Sequence, residues 1–171
     1  MRIYILAILL TLAPFCTQAQ TQRWALGFKV GEPTGLNIRK YGDKNALDIS
    51  AGTYGGLLSQ NRPYRKGEYR SMGYMLNISY LWYASILSNR MIAYAGAGGQ
   101  INSRKYFPDQ LSSVGGNTRN ISFGPAASAG LEYFSRVKSS SFFLEGGGYV
   151  ELLPGFLFGS PQLSLGVRTN F

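Results

Sequence analysis

Two carboxylates, Glu132 and Glu145, lie on either side of a short polar link at 135–140. A carboxylate pair whose proton affinities diverge is an arrangement that can do acid–base chemistry. Three more charged residues argue for a different use. Arg39, Asp48 and Arg168 fall on the polar faces of other alternating segments. Simple hairpin register sets Arg39 opposite Asp48 across 42–45; across 135–140 it can place Glu132 opposite Glu145, and across 153–160 Glu145 can face Arg168. Two arginines and three carboxylates would then share one layer. Buried charges cost on the order of several kcal/mol each unless they are paired and hydrogen-bonded. The five residues therefore read first as an interior salt-bridge layer, and only second as an acid–base site.

Other chemistry has little to stand on. The chain has no histidine, so neither a Ser–His nor an Asp–His arrangement can be assembled. Zinc chemistry lacks its usual nitrogen and thiolate ligands, since the single cysteine, Cys16, lies in the amino-terminal apolar run. Gly96-Ala97-Gly98-Gly99 and Gly146-Gly147-Gly148 match neither a dinucleotide fingerprint nor a phosphate loop, and no helix follows either. They read instead as small residues that relieve crowding beside inward tyrosines and permit strand coiling. No catalytic residue, metal ligand or cofactor is expected.

The segments that would position these charges alternate with a period of two. Trp24, Leu26, Phe28 and Val30 oppose Ala25, Gly27 and Lys29; Leu36 and Ile38 oppose Asn37 and Arg39; Leu47, Ile49 and Ala51 oppose Asp48 and Ser50. Strands turn successive side chains to opposite faces, so each segment has one apolar and one polar face. Met72 to Trp82 alternates most clearly and carries aromatics at both ends. Met91 to Ile101 is rich in Ala and Gly, and Ile92 and Tyr94 are expected outward. Ile121 to Tyr133 alternates through Pro125, which gives no ladder donor, so a bulge is expected there. In 141–152, Phe142, Leu144 and Val150 face outward and Glu145, Tyr149 and Glu151 inward. Leu163, Leu165, Val167, Thr169 and Phe171 form the outer face of the last segment.

These are eight segments joined by links of alternating length: 31–35, 55–71, 102–120 and 153–160 at one end, and 42–45, 84–90 and 135–140 at the other. Composition agrees with strands that cross a bilayer. Only 15% of residues are charged, against 22 Gly, 12 Tyr and 10 Phe, whereas soluble domains carry about a quarter charged residues. A soluble eight-stranded barrel or a sandwich would need a charged outer surface, and the polar faces here are mainly Gly, Ser and Asn. The amino terminus reads as an export signal: Met1-Arg2, an apolar run from Ile3 to Phe15, and small residues before a cut after Ala19. A lipoprotein signal would use Cys16, but Phe15 directly before it makes a poor lipobox. Residues 1–19 are thus expected to be removed, leaving 20–171 as one all-β domain, an eight-stranded antiparallel up-and-down transmembrane β-barrel.

The export signal, the eight segments and the final alternating run ending on Phe171 resemble the small OmpA-like and OmpX-like outer-membrane barrels, especially the compact ones of Bacteroidetes-type bacteria. The resemblance implies the outer membrane of a Gram-negative bacterium. It carries no catalytic residue across, and the barrel enzymes of that membrane use a histidine that this chain lacks. Two long links hold the basic residues Arg62, Arg65, Lys66, Arg70, Arg104, Lys105 and Arg119, interleaved with Tyr64, Tyr69, Tyr106 and Phe107. On a cell surface, nucleic acid is not the expected partner. Lipopolysaccharide phosphate, outer-membrane lipid or another outer-membrane protein is, with a solvated loop as the plainer reading. The expected role is structural or interactive, and the alternative is a narrow pore for small solutes.

Overall fold

The computed structural model describes residues 23–54, 62–63, 67–69, 73–86, 90–108, 118–135 and 139–171. The expected signal at 1–19, with Cys16, lies outside them. Ten strands are formed: β1 (Trp24–Glu32), β2 (Thr34–Tyr41), β3 (Asn45–Tyr54), β4 (Arg62–Pro63), β5 (Gly67–Tyr69), β6 (Gly73–Ile86), β7 (Met91–Pro108), β8 (Thr118–Phe134), β9 (Ser140–Glu151) and β10 (Phe158–Asn170). Eight of them close a ring in the order β1-β2-β3-β6-β7-β8-β9-β10, with every neighbouring pair antiparallel and β10 returning to β1. The fold is therefore a closed eight-stranded antiparallel barrel. The short β4–β5 hairpin prolongs the wall, with Gly67 opposite Pro108 and Tyr69 opposite Tyr106.

The barrel is inverted relative to a soluble protein. Trp24, Leu26, Phe28, Leu36, Ile38, Leu76, Ile78, Leu144, Leu163 and Leu165 are exposed, whereas Lys29, Asn37, Arg39, Asp48, Gln100, Glu132 and Arg168 are buried. That distribution stabilises a chain only where the surroundings are apolar, because lipid then covers the outer face and the inner polar groups satisfy one another. No helix among the described residues is long and apolar enough to cross a membrane, a criterion that does not bear on strands.

Four features of the wall differ from the sequence expectation. First, Ile92 and Tyr94 point inward and are buried. Ala95, Ala97 and Ile101 take the outer face of β7. Gln100 and Asn102 share the parity of Tyr94, and their polar groups belong in the lumen. Second, β7 and β8 run far into the expected link at 102–120, pairing from Ser103 with Ile121 to Tyr106 with Thr118. Third, there is almost no link at 31–35. Strand β1 continues through Glu32, and the corner is held by Gly31 at φ 133° and by Thr34, whose hydroxyl donates to the Gly31 carbonyl at 2.7 Å. Only glycine adopts that backbone conformation freely.

The fourth difference is the place of the bulge. Strand β7 passes Pro125 without a break, Gly99 lying opposite it. On the other side the β8–β9 ladder stops at Ala126 opposite Tyr149 and resumes one residue out of step at Phe123 opposite Leu153. The N–H groups of Leu152 and Leu153 both donate to the Phe123 carbonyl, at 3.0 and 3.2 Å. The proline removes a donor on β8, and the extra residue sits on the neighbouring strand.

Candidate functional site

The inward side chains form two layers. The lower lies toward the rim that carries Arg23 and Phe171, here the proximal rim. Arg39, on β2, is its centre. Its Nε donates to Asp48 Oδ2 on β3 at 2.8 Å and its Nη1 to Glu132 Oε2 on β8 at 3.1 Å, while Nη2 lies 3.5 Å from Glu145 Oε2 on β9. Strands β2 and β8 are diametrically opposite in the ring, so this one side chain ties the two halves of the wall. Arg168 on β10 adds a second cation. Its Nη1 lies 2.8 Å from Glu132 and its Nη2 3.9 Å from Asp48, and its guanidinium stacks on the Phe143 ring at 3.6 Å from the centroid.

The structure thus brings Arg39, Asp48, Glu132, Glu145 and Arg168 together, but not by all the expected pairings. Arg39 lies opposite Asp48. Glu132 instead lies opposite Phe143, Glu145 opposite Gly130 and Ser164, and Arg168 opposite Ser141. The β8–β9 hairpin is symmetric about 135–140, with the Ser135 N–H donating to the Ser140 carbonyl, and that register puts Phe143, two residues before Glu145, opposite Glu132. The differences, two residues between β8 and β9 and four between β9 and β10, are even and preserve parity, so every charge stays in the lumen. Long side chains then bridge strands that are not neighbours.

Sequence reasoning missed several other members of the layer. Lys29 on β1 donates to Glu145 Oε1 at 3.3 Å. Tyr94 places its ring against the Arg39 guanidinium, 4.3 Å from centroid to Cζ, and donates its hydroxyl to Glu145 Oε2 at 2.9 Å. To do so it reaches from β7 to β9 across Gly130 of β8, where any Cβ would collide with the tyrosine ring. Tyr41 donates to Glu132 Oε1 at 2.8 Å, and Ser141 donates to the same oxygen at 2.5 Å. The inward parity of Lys29 was a readable signal; the reach of the two tyrosines was not. With Lys29 the layer holds three cations and three carboxylates, and every carboxylate is bridged.

The layer above it is built of neutral groups, and the buried Glu32 and Glu151 lie beyond it, toward the far end of the barrel. Ser79 donates to Asn77 Oδ1 at 2.7 Å, Gln162 to Gln100 Oε1 at 2.8 Å, and Gln100 to Asn102 Oδ1 at 2.8 Å. A gap bounded by Lys29, Asn77, Ser79, Ser128, Glu145 and Gln162 has a volume of about 10 Å³, room for about one water. Above it, Tyr54 and Tyr149 meet edge to face at 6.4 Å, and Tyr149 donates to Ser122 at 3.2 Å. The Glu132 side chain is fully buried and that of Glu145 is 12% exposed.

Of the basic residues singled out in the long links, Arg65, Lys66 and Arg70 lie outside the described residues. The backbone of Arg62 is in β4, Arg104 and Lys105 are in β7, and Arg119 is in β8, with Arg104 opposite Asn120 and Lys105 opposite Arg119. These positions are at the rim away from Arg23 and Phe171, the distal rim. Among the described residues no group of His, Cys, Asp and Glu is arranged to hold a metal ion.

No protein-family model matches the sequence, and no curated protein matches it. The architecture does have solved counterparts. It is similar to the N-terminal β-barrel domain of Pseudomonas aeruginosa OprF, with a TM-score of 0.62 and 16% identity over 86% of this chain and 95% of that one. It is also similar to Neisserial surface protein A, with a TM-score of 0.55 and 14% identity over 86% of this chain and 93% of that one. The likeness is one of fold.

Proposed function

We propose that the chain is an integral outer-membrane barrel without catalytic activity, whose role is to stabilise the leaflet or to present its distal links to lipopolysaccharide or a protein partner. The observation that carries this reading is the pairing of an exposed apolar belt with a lumen filled by bridged charge. An outer face of Leu, Ile, Phe and Trp matches hydrocarbon, with Trp24, Trp82, Tyr80 and Tyr133 available for the interfaces. The filled lumen weighs against a solute pore, since a gap of about 10 Å³ admits no solute. It weighs against catalysis too, because both glutamates that could act as acid and base are held by arginine. For the distal links the support is their charge: Arg62, Arg65, Lys66 and Arg70 in one and Arg104, Lys105 and Arg119 in the other suit phosphate groups.

The test is native purification in mild detergent with mass spectrometry of what accompanies the barrel. Bound lipopolysaccharide that is lost when the seven basic residues become Gln supports the leaflet role, and a stoichiometric protein supports the partner role. A barrel that carries neither, and that conducts steadily in a planar bilayer, would overturn the proposal in favour of the pore.

A further inference from the structure

The apolar belt of the outer wall is unequal in height. On β8 every second residue from Ile121 to Tyr133, through Pro125 and Ala129, is outward, exposed and apolar or aromatic. At about 3.3 Å per residue and a tilt of about 40°, that run rises roughly 30 Å along the barrel axis. Across the ring, on the β1–β2 hairpin, the exposed outward residues are Trp24, Leu26, Phe28 and Val30 on β1 and only Leu36 and Ile38 on β2. The same arithmetic gives this side a belt of roughly 15 Å. An outer-membrane barrel usually presents about 25 Å.

Polar structure bounds the short belt at both ends. At the proximal end Lys40 is exposed on the outward parity, its ammonium 5.2 Å from the centroid of the Trp24 ring. An ammonium over an indole, with its aliphatic stem along the apolar surface, suits the level of lipid headgroups. The exposed Gly42, Asp43 and Lys44 follow it. At the distal end the chain reverses between Gly31 and Thr34. The Gly31 N–H donates to the Thr34 hydroxyl at 3.1 Å, that hydroxyl donates to the Gly31 carbonyl, and Glu32 and Pro33 are buried. So tight a corner leaves the hairpin no length with which to extend its belt. Tilting the whole barrel raises one side and lowers the other, but it cannot equalise two belts that differ about twofold in height. The hydrocarbon beside the hairpin has to be thinner instead.

We infer that the β1–β2 hairpin is a lipid-sorting face, which thins the bilayer beside it and gathers lipids with short hydrocarbon chains, while β8 keeps the full thickness. Everything outward between the two boundaries is apolar, so hydrocarbon alone covers it, and the Lys40–Trp24 pair sets the headgroups at its lower margin. Those two features favour lipid over a protein partner on this face. The inference rests on the barrel spanning the membrane and not on the distal basic links.

The test uses the full barrel in vesicles of dimyristoleoyl- and dierucoylphosphatidylcholine in equal parts, with the chains of one lipid or the other brominated. Bromine quenches a nearby tryptophan, so each reporter reads the lipid beside it. With Trp24→Phe and Trp82→Phe as background, Leu36→Trp reports on the hairpin and Leu131→Trp on β8; Ile38→Trp serves if the first does not fold. Leu36→Trp should be quenched about twofold more by the brominated short lipid than by the brominated long one, and Leu131→Trp should show no such preference. Lys40→Leu, which adds an apolar position to the belt, should weaken the preference, and Lys40→Arg should keep it. Equal quenching of the two reporters in both mixtures would overturn the inference alone. So would a preference that Lys40→Leu leaves unchanged, since belt height would then not be its cause. A Leu36→Trp reporter quenched by neither lipid, beside a quenched Leu131→Trp, would overturn it by assigning the face to protein contact. Quenching absent at both positions would overturn the membrane-spanning reading, and this inference with it.

Discussion

The two layers of the lumen solve the same problem in different ways. Both fill a space too narrow for solvent with polar groups, yet the lower uses Arg39, Arg168 and Lys29 against Asp48, Glu132 and Glu145, and the upper uses neutral amides and hydroxyls. In the lower layer the bonds cross the barrel, from β2 to β8 and from β10 to β3. In the upper layer most stay within one strand or pass to the next, Ser79 to Asn77 and Gln100 to Asn102, with Gln162 to Gln100 the exception. Long charged side chains hold the wall across its diameter. Short neutral ones only line it, and the small gap lies where their reach ends.

This contrast can be broken at several points. The largest effect is expected from Arg39→Ala, which leaves three carboxylates with one guanidinium and one lysine. Such uncompensated burial costs about 3–5 kcal/mol, and the unfolding midpoint in denaturant should fall accordingly; a change below about 1 kcal/mol would mean that water already screens the layer. Removing the charges together, as Arg39→Met with Glu132→Met, should cost less than the sum of the two single changes, with a coupling of about 1–3 kcal/mol in a double-mutant cycle. Additive effects would show that the two residues act separately. Next comes Gly130→Val, which drives a side chain into the Tyr94 ring and should cost about 1–3 kcal/mol. A matching change at Gly146, where an added Cβ would meet only ordinary van der Waals contacts at 3.9 Å and beyond, is the control. The smallest effect is expected in the upper layer, where Gln100→Leu should cost about 1 kcal/mol. A loss as large as that of Arg39→Ala would erase the distinction between the layers.

The sequence was most legible where bilayer and lumen impose opposite demands on adjacent residues. Strands β1, β2, β6 and β10 alternate cleanly for that reason, and parity alone was enough to send Arg39, Asp48 and Arg168 inward. Legibility failed where one demand was missing. On β7 the outer face is Ala93, Ala95, Ala97 and Gly99, so the apolar side has no bulk to mark it, and Tyr94 resembled a lipid-facing residue. Gln100 and Asn102, of the same parity, held the decisive information. Beyond Ser103 the β7 sequence reads Arg-Lys-Tyr-Phe-Pro, and a run without regular apolar alternation cannot be told from a loop by periodicity. The register errors at Glu132, Glu145 and Arg168 have another origin. Turn geometry, not face chemistry, decides between pairings two or four residues apart, because all of them place the same side chains in the lumen.

The unequal strands have a consequence for how the barrel sits among its neighbours. Strand β7 has 18 residues and β8 has 17, while β2 has 8; at about 3.3 Å per residue the wall is roughly 60 Å long on one side and roughly 26 Å on the other. About ten residues suffice for a tilted crossing, so the short arc ends near the bilayer surface and the long arc stands clear of it. Beside the tall strand β8, to which Leu153 is bridged, the β9–β10 turn exposes Leu153, Phe156 and Leu157, which marks that stretch of the edge as greasy. A plain cylinder can spin about its axis with nothing changed. This one has a front and a back, so anything drifting in the plane of the membrane meets a different protein according to the direction from which it comes.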